Sequence, residues 1–264
     1  MLVHTNNKWV LGVILIENKV NHYGNLCVEM YEILHENAME DELKFYLSYA
    51  KKDSKILEPL CGSGRFLIPF MQLGFDICGV DASKEMLHKL YLKAPNAKVI
   101  ESDIYEFNSK QKFDYIFIPS GSISLFTDIV YCKKILNKLK QMLSLGGKLV
   151  FAVDTILTKN LNNNEYKISA SVKTKEGFDL ILKNKSFYDE RSHVQFYPSI
   201  YELYDGDVLL KSEYMDFRIY LYEYGEMDLY LQDIGFSEIN AYSSFDKKIA
   251  INNNSEIFLY ECCI

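Results

Sequence analysis

Between Lys55 and Asp154 the chain alternates short apolar runs with segments of helical period, and this constrains its architecture more than any other feature. The apolar runs are Lys55–Leu60, Phe75–Asp81, Ala97–Ser102, Phe113–Ser120 and Gly146–Asp154. Arg65–Gly74, Ser83–Lys93 and a stretch from about Ile129 to Leu145 lie between them with helical spacing. Strands that are nearly continuous in apolar residues need cover on both faces, and helices between successive strands supply it while returning the chain to run parallel. The expectation is an α/β fold, a doubly wound parallel sheet with crossover helices. Gly146 and Gly147 are expected to stop the last helix and turn the chain into the fifth strand.

The flanks have a different texture. Residues 8–16 read as a strand or apolar anchor, Asn18–Gly24 as a loop, and Leu26–Lys52 as two helices broken near Glu36 and Asn37. Asp41 and Glu42 fall in the first turn of the second helix, where acids complement the dipole. After Asp154 a polar stretch, Leu157–Lys167, leads into alternating strands that run to about Tyr222, with Asp205–Gly206 as a hairpin turn. A helix over about Glu226–Ile234, ending at Gly235, and strands near Ser237–Tyr242 and Ile257–Cys262 close the chain. The division expected is an N-terminal strand and helical cap (1–52), a ligand-binding core (53–154), an antiparallel insertion (155–222), and a helix and strands completing the core sheet (223–264).

Within the core, Ile56–Arg65 places a strand, an acid (Glu58), a glycine turn (Gly62, Gly64) and a helix start in immediate succession. Glycine lets the backbone turn sharply and approach a ligand. A lone pair of glycines is ordinary turn chemistry; here Asp81 follows about twenty residues on, at the end of the next strand, where doubly wound folds place the acid for a ribose diol. Asp81 taken singly also suits a helix cap ahead of Ala82 and Ser83. A dinucleotide site wants a third loop glycine, and Leu67 stands at that position. The loop also carries Arg65 and is preceded by an acid, Glu58, and a carboxylate there suits the ammonium of a zwitterionic ligand better than a diphosphate. The ligand implied is an amino acid joined to a nucleoside, which is the shape of S-adenosylmethionine (SAM).

On these residues the chain resembles the class I SAM-dependent methyltransferase family, whose first motif reads acid-x-G-x-G-x-G. Glu58, Gly62 and Gly64 match it, and Leu60 stands where the pattern has its first glycine. The resemblance spans about Leu43–Asp154 and implies a Rossmann-like methyltransferase sheet. It implies that Asp81, with Ala82, holds the ribose, that Met86 packs on adenine, that Asp103 and the Ile104 backbone meet the adenine amino group, and that Pro119 lies by the transferred methyl group. Tyr23 is its candidate for an N-terminal contact to SAM. The insertion resembles those of small-molecule members, glycine or sarcosine and amino-sugar N-methyltransferases among them. That implies a substrate lid, with Ser120, Tyr197, Tyr201 and Arg218 as acceptor-side candidates. His22, Tyr23 and Tyr31 are the candidates to help a proton leave the acceptor.

Composition narrows the partners. A formal net charge of −7 repels a phosphate backbone, and the end of the fourth core strand lacks the Pro-Pro-aromatic pattern of base amino-methyltransferases, so no nucleic-acid partner is expected. Lys133, Lys134, Lys138 and Lys140 read as a solvated helix face. The longest early apolar stretch, Trp9–Ile16, is about half a membrane span, and the six cysteines contain no C-x-x-C pair. A cytoplasmic monomer or homodimer, with no membrane partner and no bound metal, is expected. The reading is a SAM-dependent methyltransferase acting at N or O of a small molecule. The alternatives are a nicotinamide-dependent oxidoreductase and a non-catalytic SAM-binding protein.

Overall fold

The structure, a computed structural model, describes the backbone of residues 3–5 and 8–10 and the whole of residues 21–264. Near the N-terminus β1 (Val3–Thr5) and β2 (Lys8–Val10) form an antiparallel ribbon, so the strand expected over 8–16 is described only in its first part. Two helices follow, α1 (Asn25–Leu34) and α2 (Glu40–Leu47), with Glu40, Asp41 and Glu42 in the first turn of α2.

The core then runs β3 (Lys55–Pro59), α3 (Leu67–Gln72), β4 (Asp76–Asp81), α4 (Lys84–Lys93), β5 (Val99–Glu101), β6 (Phe113–Ile118), α5 (Ile129–Met142) and β7 (Leu143–Asp154). With the later β12 (Glu238–Tyr242) and β13 (Ile257–Cys263) these strands form a seven-stranded sheet in the order β12-β13-β7-β6-β3-β4-β5. Neighbours from β7 to β5 pair in parallel, while β13 runs antiparallel to β7 and β12 to β13. The period-two alternation of each strand sorts its apolar residues to two faces. Ile116, Ile118, Leu149, Phe151 and Val153 pack under α5 and α6 (Glu226–Ile234). Tyr115, Phe117, Val150 and Ala152 pack under α2, α3 and α4. Asp114, between them, accepts from the Lys55 amide (2.9 Å) and the Ser144 hydroxyl (2.6 Å), so it serves the sheet.

One boundary differs from expectation. Helix α5 stops at Met142 and β7 begins at Leu143, which leaves Gly146 and Gly147 inside an irregular start of the strand, where the β6–β7 register shifts. A Cβ on Gly147 would meet the Ser144 and Phe113 carbonyl oxygens at 2.8 and 3.0 Å, so the glycine permits close backbone passage rather than a helix stop.

The insertion is a separate four-stranded antiparallel sheet, β8 (Asn163–Lys173), β9 (Asp179–Asp189), β10 (Val194–Asp205) and β11 (Val208–Tyr220), in the order β11-β10-β9-β8. Strand β8 reaches into the polar stretch read as loop, because an edge strand needs only backbone pairing with β9 and leaves its side chains in water. Asp205–Gly206 makes the β10–β11 turn, with Gly206 at φ +58°. Both ends of the insertion meet at the end of β7, where the Tyr222 amide donates to the Asp154 carbonyl at 2.9 Å. Its inner face packs on α1, with Leu26, Cys27 and Met30 against Leu180, Tyr201 and Met215. The final helix ends at Gly235, φ +84°, followed by β12 (Glu238–Tyr242) and β13 (Ile257–Cys263).

Candidate active site

After β3 the chain steps outward through β4 and β5, then returns to lay β6 on the other side of β3. The crevice at the C-terminal ends of β3 and β6 is the switch point at which open α/β sheets bind ligands. The glycine loop leaves β3 there with three residues in the left-handed region, Leu60 (φ +56°), Gly62 (φ +53°) and Gly64 (φ +85°). Leu60 thus adopts the conformation that a glycine would take freely, at a cost of about 1–2 kcal/mol. The loop is pinned by Asp81: Oδ2 accepts from the Gly62 amide at 2.8 Å and Oδ1 from the Ser83 amide at 2.8 Å. Asp81 therefore organises the loop and the start of α4, whose cap is the Ser83 hydroxyl. Burial pushes the Asp81 carboxyl up, against the hydrogen bonds that it accepts. Met86 is buried, with its sulfur 3.9 Å from where a Cβ on Gly62 would stand, and the backbone of Ala82 lies in the same turn.

Glu58, 1% exposed, is pushed well up by burial and pulled back by the Arg65 guanidinium. Its Oε2, Ser63 Oγ and Arg65 Nε are all buried without a hydrogen-bond partner. Arg65 donates through Nη2 to Ser120 Oγ at 2.5 Å and lies 5.7 Å from the Tyr31 ring and 5.2 Å from the Phe66 ring. A buried acid and a half-buried cation whose Nε is buried, both with unused bonding capacity beside a glycine loop, fit a ligand that carries both an ammonium and a carboxylate.

Sequence reasoning missed Glu42. It was read as a partner of the helix dipole, yet it is buried, and its Oε1 accepts from both the amide and the hydroxyl of Ser120 at 2.9 Å. Ser120 is held at φ +56° by these bonds, and burial raises Glu42 while Ser120 lowers it. Only an acid in a first turn was visible, and nothing local says that α2 packs across the end of β6.

The remaining candidates separate. Tyr23 lies against the α1–insertion cluster, and burial pushes its phenol up, with the charges of Cys27, Tyr31 and Asp81 adding. Tyr31 is raised by burial and lowered by Arg65. His22 is exposed. Asp103 is exposed, accepting from the Tyr105 amide at 2.7 Å and the Tyr131 hydroxyl at 3.2 Å, and Ile104 beside it is buried. Tyr131, pushed up to about 12 by burial and by Asp103, was missed as a wall of that corner. Pro119 is buried at the end of β6. Tyr201 is buried in the α1 cluster, and Tyr197 accepts from the Asn160 side-chain amide at 2.6 Å. Arg218 pairs across the ladder with Phe196, so it occupies the sheet face opposite Tyr197 and Tyr201, held by Asp216 (Nε to Oδ1, 3.0 Å). The structure does not bring these three into one pocket.

Lys133, Lys138 and Lys140 are spent on internal contacts, to Asp233, the Tyr105 carbonyl, and the Ile234 and Gly235 carbonyls. Among the described residues no cluster suits a metal ion, and no helix is long and apolar enough to cross a membrane.

Comparison with known proteins bears on this geometry directly. Residues 56–147 match a family described as a methyltransferase domain. A malonyl-[acyl-carrier protein] O-methyltransferase of Ilyobacter polytropus is 31% identical over 121 residues; the match spans 43% of this chain and 43% of that relative, less than half its length. Among solved structures, a SAM-dependent methyltransferase from Clostridium acetobutylicum superposes with a TM-score of 0.73 at 17% identity, covering 89% of this chain and 96% of that one. The sugar N-methyltransferase KedS8 from a Streptoalloteichus species gives 0.70 at 17% identity, covering 98% of both chains. At these identities the structures speak for the fold, and the matched segment contains the glycine loop, Asp81 and Asp103. Residues 56–147 thus match a methyltransferase domain, and the fold as a whole, with its antiparallel sheet after the fifth core strand, is shared with solved SAM-dependent methyltransferases.

Proposed function

We propose that this chain transfers a methyl group from SAM to a nitrogen or oxygen of a small-molecule acceptor. The observation that carries the reading is the pair at the glycine loop, buried Glu58 and half-buried Arg65, whose buried Oε2 and Nε atoms have no hydrogen-bond partner. Glu58 would take the ammonium of the methionyl end and Arg65 its carboxylate, with Asp81 and the loop amides at the ribose and Met86, Asp103, Ile104 and Tyr131 around the base. When bound, SAM would supply an electrophilic methyl group to an aligned acceptor lone pair, the carbon–sulfur bond breaking with its electrons left on the departing thioether. The protein's work is then orientation, worth up to about 7–11 kcal/mol, and exclusion of water.

The acceptor side is supported by the four-stranded sheet, which rests on α1 and on the turn Ser122–Leu125 that follows β6. Asn21 ties these parts together, donating to the Leu125 carbonyl at 3.0 Å and the Arg218 carbonyl at 2.9 Å. With Tyr23, Tyr31 and Tyr197 it makes the insertion a cover for the acceptor. A small acceptor also agrees with the net charge of −7 and with folds shared with a sugar N-methyltransferase and an amino pentose methyltransferase.

Calorimetry with SAM, S-adenosylhomocysteine (SAH), NAD and NADP tests the proposal, followed by turnover of methyl-labelled SAM against a panel of small amines and hydroxy compounds. Saturable binding of SAM and SAH alone, lost in Glu58→Gln or Arg65→Gln, is expected. Binding of a nicotinamide cofactor in their place refutes it, and SAM binding without label transfer to any acceptor favours the non-catalytic reading.

A further inference from the structure

Asp154, the last residue of β7, ends at the same edge of the sheet as Pro119 and Ser120 but was not among the expected site residues. Its backbone is fixed on both sides, the amide donating to Ser124 Oγ at 2.8 Å and the carbonyl accepting from Tyr222. Its carboxylate lies flat on the loop after β6: a Cβ built on Gly121 would stand 2.7 Å from Oδ2 and 2.9 Å from Oδ1. Gly121 follows Ser120, whose hydroxyl meets Arg65, so the carboxylate is one residue from a group that touches the proposed methionyl clamp.

From the fold outward, the Tyr197 phenol of β10 is raised by burial, with the Asp154 charge adding, and the Phe217 ring stands 6.0 Å from the Tyr197 ring. Among the described residues, the groups that face Asp154 are the Ser124 hydroxyl, the backbone of Gly121 and Tyr222, and the Tyr197 phenol, and none of them is a cation. Burial pushes the carboxyl up to about 7. A half-buried carboxylate with no cation beside it among the described residues is costly to keep ionised, and a positive charge would stabilise it.

We infer that Asp154 binds the acceptor as an ammonium and removes its proton, resting on the methyltransferase reading above. The N–H bond breaks with its electron pair left on nitrogen as the lone pair that methyl transfer requires. The proton adds to an Asp154 oxygen, giving a neutral carboxyl, and passes to water once the product leaves. A group poised near neutrality serves both as anionic partner and as base. An alcohol is too weak an acid for this carboxylate, so the site selects amines.

The test is an infrared pH titration of the full chain labelled with carboxyl-13C aspartate, with and without saturating SAH, using methylammonium chloride as the probe. One labelled carboxyl band should titrate near neutrality in the wild type and vanish in Asp154→Asn, with SAH affinity unchanged within about threefold. If Asp154→Asn fails to fold, Asp154→Glu removes the residue from the labelled set and assigns the band. Methylammonium should move the wild-type midpoint down by about one pH unit, a tenfold preference for the carboxylate, while equal sodium chloride leaves it in place. A midpoint in the ordinary carboxylate range, or one that methylammonium does not move, overturns the inference while SAH still binds. Failure of SAH to bind the wild type overturns the methyltransferase reading itself.

Discussion

Replacing Gly64 by alanine should be among the most costly single-methyl additions in this chain, and its cost separates into two parts. Gly64 sits at φ +85°, where an L-residue pays about 1–2 kcal/mol. Its Cβ would also stand 3.0 Å from Leu90 Cγ and 3.1 Å from Ile68 Cγ1 and Cδ1. Leu90 is fully buried on α4 and cannot swing away, so overpacking adds about 1–3 kcal/mol, for a total of about 2–5. Gly62 is the internal control: it too is left-handed, at φ +53°, but its nearest neighbour would be the Met86 sulfur at 3.9 Å, an ordinary contact. Gly62→Ala should therefore cost only the conformational part. The assay is equilibrium urea unfolding with unchanged slopes, extended to the double variant Gly64→Ala/Leu90→Ala. The space opened at Leu90 should recover about 1 kcal/mol or more relative to additivity. Equal costs at the two glycines, or strict additivity with Leu90→Ala, would refute the packing argument.

Asp81→Ala should weaken SAH binding by about 2–4 kcal/mol in calorimetry and also lower stability, because the Gly62 and Ser83 amides lose their acceptor. Asp81→Asn keeps an acceptor oxygen and should recover part of the stability but little of the affinity. The Asp154 carboxyl, raised from 3.8 to about 7 in the folded state, favours folding fully below about pH 4 and loses that contribution as the pH climbs to 7. The difference in unfolding free energy between wild type and Asp154→Asn should thus change by up to about 4 kcal/mol between pH 4 and 8, with the wild type relatively weaker at the alkaline end. Glu42→Ala removes both bonds to Ser120, which is otherwise free to leave its left-handed conformation; a drop of about 1–3 kcal/mol in stability and a several-fold loss of SAH affinity through Arg65 are expected by unfolding and calorimetry.

The site was legible where a residue's role depends on its own strand or turn. Glu58, Gly62, Gly64 and Asp81 are separated by short stretches of one β-loop-α-β unit, so their spacing in sequence is nearly their spacing in space. Asp81 shows the limit even there, since the ribose reading and the helix-cap reading describe the same carboxylate, while its two amide bonds reach both the glycine loop at Gly62 and the start of α4 at Ser83, whose own hydroxyl is the cap. Arg218 shows another: strand period assigns it to a face, but the register of β11 against β10 decides which face, and it puts Arg218 across from Phe196 and away from Tyr197. Gly146 and Gly147 were readable as turn residues but not as a strand irregularity, because that depends on how β6 aligns with β7.

By itself the sequence determined the alternation of strands and helices, the two-faced burial of the parallel sheet, the glycine loop with its acids, and the hairpin insertion. All of these follow from local periodicity and from what glycine and carboxylates do to a few residues on either side. Only the tertiary structure decided that α2 carries Glu42 to Ser120, that α1 lies between the insertion and the core, and that β7 delivers Asp154 against Gly121. Those contacts join residues 78, 188 and more than 30 positions apart, and they are chosen by packing of whole elements, about which a single residue's neighbours in the chain carry no information.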